Sequence, residues 1–272
     1  MPDQPAAGTA PAPAPVPVDR LRFEMPPVHA DPADERAYRK ERLAGALRLF
    51  GGLGYEEGVG GHVSARDPEF EDCYWVNPFG RSFGGLGAED LLLVDGDGRV
   101  VRGGRRVNQA AFAVHAAVHR ARPEVVAVVR AQAPYGRALA ALGELLAPIT
   151  EEACAFYQDH ALLDQYTGGA PDPQECRRIG IALGPYKALV LRHHGLLTVG
   201  GSVDAAAWWF LAAERAARVQ LIARAAGKPV LIEHRAALAA RERFGTDLAA
   251  WVNYQPHGER AARRDARDDL VP

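Results

Sequence analysis

Two short apolar runs end in side chains suited to acid, base or anion chemistry. Val125-Val126-Ala127-Val128-Val129 leads into Arg130, Gln132 and Pro134, and Ala188-Leu189-Val190-Leu191 leads into Arg192, His193, His194 and Gly195. Runs of this kind, halted by polar residues and a Pro or Gly, read as buried strands whose ends emerge into a polar site. Ligands in α/β proteins gather at such strand ends. Arg130, Gln132, His193 and His194 are therefore the first candidates for chemistry. An arginine is permanently charged and offers only donors, so Arg130 suits a carboxylate or oxyanion and would repel a metal cation. Two neighbouring imidazoles beside that charge would have depressed pKa values, and neutral histidines suit general-base duty.

Other residues supply further candidates. In Gly58-Val59-Gly60-Gly61-His62-Val63-Ser64 the glycines let backbone N–H groups approach a ligand, and His62 and Ser64 alternate onto one face of the following strand. A loop that needs only a tight turn before a strand would look the same. His115 and His119 are four apart on a helix and could clamp a metal, although packing and hydrogen bonding explain them adequately. Glu151 and Glu152 could do proton work near a fixed arginine, burial raising one pKa while an ion pair lowers the other; alternatively one is paired and the other solvated. Asp95-Gly96-Asp97-Gly98 reads as a hairpin turn between Leu91–Val94 and Arg99–Val101, since the remaining ligands of a calcium loop are missing.

The elements that must position these groups can be followed along the chain. Residues 1 to about 18 alternate Pro and Ala with almost no bulky apolar side chain, and a mobile Pro/Ala-rich tail is expected over residues 1–30. A helix over Arg36–Phe50 has Leu43, Leu47 and Phe50 at helical spacing and stops at Gly51-Gly52. Cys73–Val76 is a short strand; Asn108–Arg120, Pro173–Leu183 and Val203–Ala226 are helices; Gly168–Pro171 is a loop. Trp208, Trp209 and Phe210 are consecutive, so at least one ring should face a neighbouring subunit or a pocket. The main domain is expected over residues 31–235, with a shorter helix over Ala236–Tyr254 and a frayed, charge-mixed tail from about His257.

Several of these motifs, in this order, resemble the class II aldolase/adducin family. Asn77-Pro78-Phe79-Gly80 matches its Asn-Pro-x-Gly, Pro148 to Tyr157 its Pro-Ile segment ending in Phe-Tyr, and His194-Gly195 the end of its Asn-His-Gly. The resemblance covers about residues 32–230. It implies a three-layer α/β/α fold with a mainly antiparallel central sheet. It also implies a homotetramer with sites at subunit interfaces, to which C-terminal residues such as Tyr254 are lent, and a substrate site lined by Gly61, His62, Ser64 and Asn77. Family members bind a divalent metal through a His-x-His pair and the histidine of Asn-His-Gly. Here Arg130 and Gln132 stand at the paired histidines, His193 replaces Asn, and Ala111 stands where the sugar-phosphate aldolases carry a catalytic Glu. The resemblance, corrected for these departures, implies no metal and no other cofactor.

With 272 residues and 48% hydrophobic composition the chain can bury one full core, and a net charge of -2 gives no pull towards nucleic acid or anionic membrane. Cys73, Cys154 and Cys176 are scattered without a CxxC pair, which fits a reducing cytoplasm. No apolar run approaches the roughly 20 residues needed to span a bilayer. Three functions compete. The first is a metal-independent enzyme forming or cleaving a carbon–carbon bond at a small aldehyde or keto acid, by aldol-type or Pictet–Spengler-like amine–carbonyl condensation. Arg130 and His194 would carry it, with His193, His62, Glu151 or Tyr157 assisting and Gln132 binding substrate. The second keeps a metal on rearranged ligands, His115, His119 and His194, for aldolase, decarboxylase or iron-oxygenase chemistry. The third is a non-catalytic scaffold like the adducin head. The Arg- and Ala-rich composition suggests a high-GC bacterium and secondary metabolism.

Overall fold

A computed structural model describes residues 24–165 and 172–268; the N-terminal tail before Glu24 and the loop Gly168–Pro171 lie outside the described residues. An eight-stranded sheet runs through the middle of the chain in the order β4-β3-β2-β1-β5-β8-β7-β6. Its strands are β1 (His62–Arg66), β2 (Cys73–Val76), β3 (Leu92–Asp95), β4 (Val100–Arg102), β5 (Ala127–Arg130), β6 (His160–Leu163), β7 (Ala188–Leu191) and β8 (Gly195–Gly200). Every pairing is antiparallel except β6 with β7. The apolar runs of β5 and β7 have no polar alternation because both faces are covered. Val128 packs with Leu189, Leu191 and Val199 on one face, while Ala127, Val129 and Val190 join the larger core on the other.

Helices α2 (Gln109–Ala121) and α4 (Pro173–Leu183) cover the first face. Helices α1 (Pro32–Gly52), α3 (Pro134–Leu142), α5 (Val203–Ala226) and α7 (Asp247–Asp268) build the larger core with the second. Among the described residues, α1 starts at Pro32, earlier than the apolar spacing predicts, because the Asp31 carboxylate accepts from Ala33 N at 2.8 Å and Pro32 fits the first turn. The expected hairpin turn is present: Asp95 Oδ1 accepts from Asp97 N and Arg99 N at 3.0 and 2.9 Å, which occupies that carboxylate.

The C-terminal region departs from expectation. The single helix expected over Ala236–Tyr254 is two, α6 (His234–Phe244) and α7, broken at Gly245-Thr246, where the Gly245 carbonyl accepts from Lys187 Nζ at 2.6 Å. Far from fraying at His257, α7 sends Ala250, Trp251, Tyr254 and Ala261 into the main core, so the folded body extends past residue 235. Trp209 and Phe210 are buried, and the third ring of that trio, Trp208, lies against His257 of α7 at 5.9 Å. No described helix is long and apolar enough to cross a membrane.

Candidate active site

The β5–α3 corner fixes the first candidate. Beyond Arg130 the chain turns into α3, whose opening N–H groups at Tyr135 and Gly136 are both taken by the buried carboxylate of Glu214 from α5. Burial pushes the Glu214 pKa up despite those two donors. Gln132 N donates to Tyr55 O at 2.8 Å, and its side chain lies over Gly60, where a Cβ would come within 2.8 Å of Gln132 Nε2. Gly61 has φ 102, and a Cβ there would meet the Phe83 ring at 3.0 Å. Gly61 is therefore required by its backbone and by the close ring, whereas a side chain at Gly60 would chiefly displace the end of Gln132.

Antiparallel register sets His62 opposite Arg130. The β7–β8 turn brings the next group: His194 N donates to Leu191 O at 2.8 Å, and His193 at its corner has φ 61. Asn or Gly is the easier residue in that left-handed conformation, so His193 is held there at some strain, and its side chain is exposed. Arg130 and His194 line one cleft of about 200 Å³ between the strand ends and the two helices α2 and α4. Asn108, Ala110, Ala111 and Val114 supply its α2 side; Glu175 and Ile179 of α4 and Leu191 of β7 complete it. In a larger groove of about 600 Å³ on the outer side of the same helices, Arg120 is paired with Asp72 and Asp97 at 3.2 and 3.3 Å, and Cys176 and Arg177 also line it.

Among the described residues, the Arg130 guanidinium makes no hydrogen bond or ion pair. Burial first, and then the charge of Arg137, push its pKa down, yet an arginine stays charged at any pH the protein meets. Burial and the Arg130 charge push His194 below 6.5, the Glu175 carboxylate offsetting part of the effect, so its imidazole is neutral at pH 7. His62 is pushed down to about 3 by burial and by Arg130.

Behind Arg130 lies a buried polar chain that the sequence does not announce. Ser64 Oγ stands 2.8 Å from His115 Nδ1 and 2.9 Å from His119 Nε2. One hydroxyl proton serves two imidazoles, so Ser64 donates to one ring and accepts from the other, which requires a proton on that second ring nitrogen. His115 meets the His62 ring edge-on at 6.0 Å, and Tyr74 stacks on His119 at 4.4 Å. Burial drives His115 well below 6.5 and His119 to about 3.

The expected residues are thus divided. Arg130 and His194 share the cleft, with His62 directly behind. Ser64 turns to the two helical histidines, and the Asn77 side chain braces the strand by accepting from Val63 N at 3.2 Å. Glu151 and Tyr157 are not brought to Arg130. They precede β6, whose first residue His160 pairs with Ala188, whereas the cleft lies at the Leu191 end of β7. Glu151 is exposed and the Tyr157 hydroxyl bonds His234 Nδ1 at 3.0 Å. Tyr254 is buried between α1, α5 and α7, its ring under the Arg42 guanidinium at 5.4 Å, so it is not presented for lending to another site. Asn108, Glu175 and Ile179 were not anticipated. They depend on α4 packing against α2, which no local pattern reveals.

The family resemblance implies a divalent metal, and the donor set does not fit one. The cleft sets the Arg130 guanidinium, which has no electron pair to offer, beside two possible ligands, His194 and Glu175; Ser64 already engages His115 and His119, and no group of three or more His, Cys, Asp or Glu among the described residues could hold a metal ion.

The three-layer sheet with its cleft at the β5 and β7 ends defines an aldolase-like α/β/α protein. The chain belongs to the family described as Class II Aldolase and Adducin N-terminal domain, whose model matches residues 41–221. It is 45% identical over 245 residues, 89% of this chain and 91% of the relative, to Decarboxylase NovR of Streptomyces niveus. It is 44% identical, over 89% of this chain and 88% of the relative, to the 4-hydroxy-3-prenylphenylpyruvate oxygenase/4-hydroxy-3-prenylbenzoate synthase of Streptomyces roseochromogenus subsp. oscitans. Among solved structures, L-fuculose 1-phosphate aldolase from Glaciozyma antarctica PI12 superposes with a TM-score of 0.83 at 39% identity, covering 89% of this chain and 95% of that one. These relatives are named as enzymes.

Proposed function

We propose that this chain is a metal-independent enzyme that forms or cleaves a carbon–carbon bond beside the carbonyl of a small aldehyde or 2-oxo acid. The observation that carries the reading is the Arg130 guanidinium, without a partner among the described residues, in the cleft it shares with His194. In the cleavage direction, neutral His194 takes the proton from the hydroxyl two carbons away from the carbonyl. The intervening carbon–carbon bond breaks, an aldehyde leaves, and the electron pair becomes an enolate whose oxygen faces Arg130. His194 then returns the proton to carbon, so charge and protons balance. A fixed cation placed where negative charge develops is worth most in a water-poor site. The same pair would serve an amine–carbonyl condensation.

A second reading is favoured by the Streptomyces relatives named as a decarboxylase and as an oxygenase/synthase: loss of the carboxyl carbon from an aryl-bearing 2-oxo acid. The Streptomyces relatives support a role in bacterial secondary metabolism, and three cysteines without a CxxC pair support a reducing cytoplasm. A tetramer is supported by apolar residues left exposed on α3 and α5, Leu142, Val219 and Ile222, and assembly could carry Glu151 and Tyr157 to another copy's cleft. The test is turnover of 4-hydroxy-2-oxo acids, and of 2-oxo acid plus aldehyde pairs, by wild type, Arg130→Ala and His194→Ala. Loss of at least about 100-fold in both folded variants is expected; wild-type rates in either would overturn the reading.

A further inference from the structure

We infer that Arg130 binds the carboxylate of an apolar monocarboxylic ligand whose hydrocarbon body lies along Val114, Ile179 and Leu191; this deepens, and rests on, the reading of the cleft as the reaction site. A largely buried guanidinium needs a counter-charge, since an uncompensated buried ion is costly. Among the described residues the chain pairs no carboxylate with Arg130; the groups acting on it or beside it are the cationic Arg137 and the neutral His62 and His194, while the Glu175 carboxylate of the same cleft acts on His194 and forms no ion pair with Arg130. A ligand carboxylate would supply the missing counter-charge at Arg130. Five N–H donors in a planar fork match the two oxygens of a carboxylate.

The anion's place within the cleft follows from the helices. At the start of α3 the Glu214 carboxylate already occupies the free N–H groups. The 13-residue α2 instead begins in the cleft, where Asn108 caps Ala111 N and the small side chains of Ala110 and Ala111 leave room beside Arg130. The positive end of its dipole adds to the arginine's field. On the far side the wall turns apolar, and sugar hydroxyls there would lose their hydrogen bonds to water without replacement. The Glu175 carboxylate lines the same cleft and repels a dianionic phosphate more than a monoanionic carboxylate. A 2-oxo acid anchored this way brings the carbonyl carbon next to its carboxylate up to His194.

The test is equilibrium binding to the full chain by calorimetry, without turnover, using phenylacetate, acetate and inorganic phosphate as probes. Phenylacetate should bind at least about tenfold tighter than acetate or phosphate, the ring adding apolar burial. Arg130→Met should weaken phenylacetate at least about tenfold. Ala111→Glu, which puts a carboxylate on the cleft side of α2 for Arg130 to pair with, should do the same while the chain keeps its wild-type circular dichroism. The inference is overturned if phosphate binds more tightly than phenylacetate, or if folded Ala111→Glu binds phenylacetate like wild type. The second variant decides the matter should Arg130→Met not fold. Because no reaction is monitored, failure of the wild-type chain to bind phenylacetate would count against the carboxylate site alone, and absence of turnover against the proposed chemistry alone.

Discussion

Ser64 carries more of the structure than its size suggests. Its hydroxyl satisfies one ring nitrogen on each of two fully buried histidines, and an orphaned buried polar group costs about 1–3 kcal/mol. Ser64→Ala should therefore lower the unfolding free energy by roughly 2–4 kcal/mol, read as a reduced urea midpoint at unchanged slope; an unchanged midpoint would mean the bonds are not made in solution. At His193 the φ of 61 is a conformation that Gly or Asn adopts more easily, so the backbone part of His193→Gly or His193→Asn should be favourable by roughly 0.5–1 kcal/mol; thermal melts read it against the imidazole's own interactions, and a net loss would mean that those interactions outweigh the strain. Arg130 and His194 were legible in the sequence because a strand end announces itself by an apolar run stopping at charge. Ser64 was singled out as a substrate-facing residue, but its bonding to His115 and His119 was not legible, since those partners lie 51 and 55 residues away on another element.

The strand-and-helix pattern was largely legible because each strand is a short apolar run and the helices carry their own stops. Tertiary events were not. The break between α6 and α7 rests on one Gly-Thr step whose carbonyl is claimed by Lys187. The removal of Glu151 and Tyr157 from the cleft follows from the parallel pairing of β6 with β7, which local spacing does not encode. The entry to β1 is where an element is most tightly specified: with φ 102 and a phenyl ring 3.0 Å from any added Cβ, Gly61→Ala should destabilise by about 1–3 kcal/mol. Thermal unfolding checks this, and an unshifted Tm would mean that the loop relaxes freely.

Across the whole molecule the buried histidines set the response to acid. His62 and His119 are held to about 3 and His115 well below 6.5, chiefly by burial. Their folded pKa values are depressed, so below pH 6.5 the unfolded chain binds more protons than the folded one, and stability falls as pH falls. The loss begins near 6.5 and continues to about 3 for His62 and His119. Three such groups give a slope on the order of 4 kcal/mol per pH unit once the pH is well below 6.5. Urea midpoints between pH 7 and 5 should drop steeply, and a flat profile would mean that these histidines are solvated.

Arg130 is proposed to do the work that a metal does in the family, and the most direct measurement is turnover of exhaustively chelated protein, with its metal content read by elemental mass spectrometry. Undiminished carbon–carbon bond chemistry in protein carrying far less than stoichiometric metal is the predicted result. Activity that vanishes on chelation and returns with a single divalent metal would contradict it.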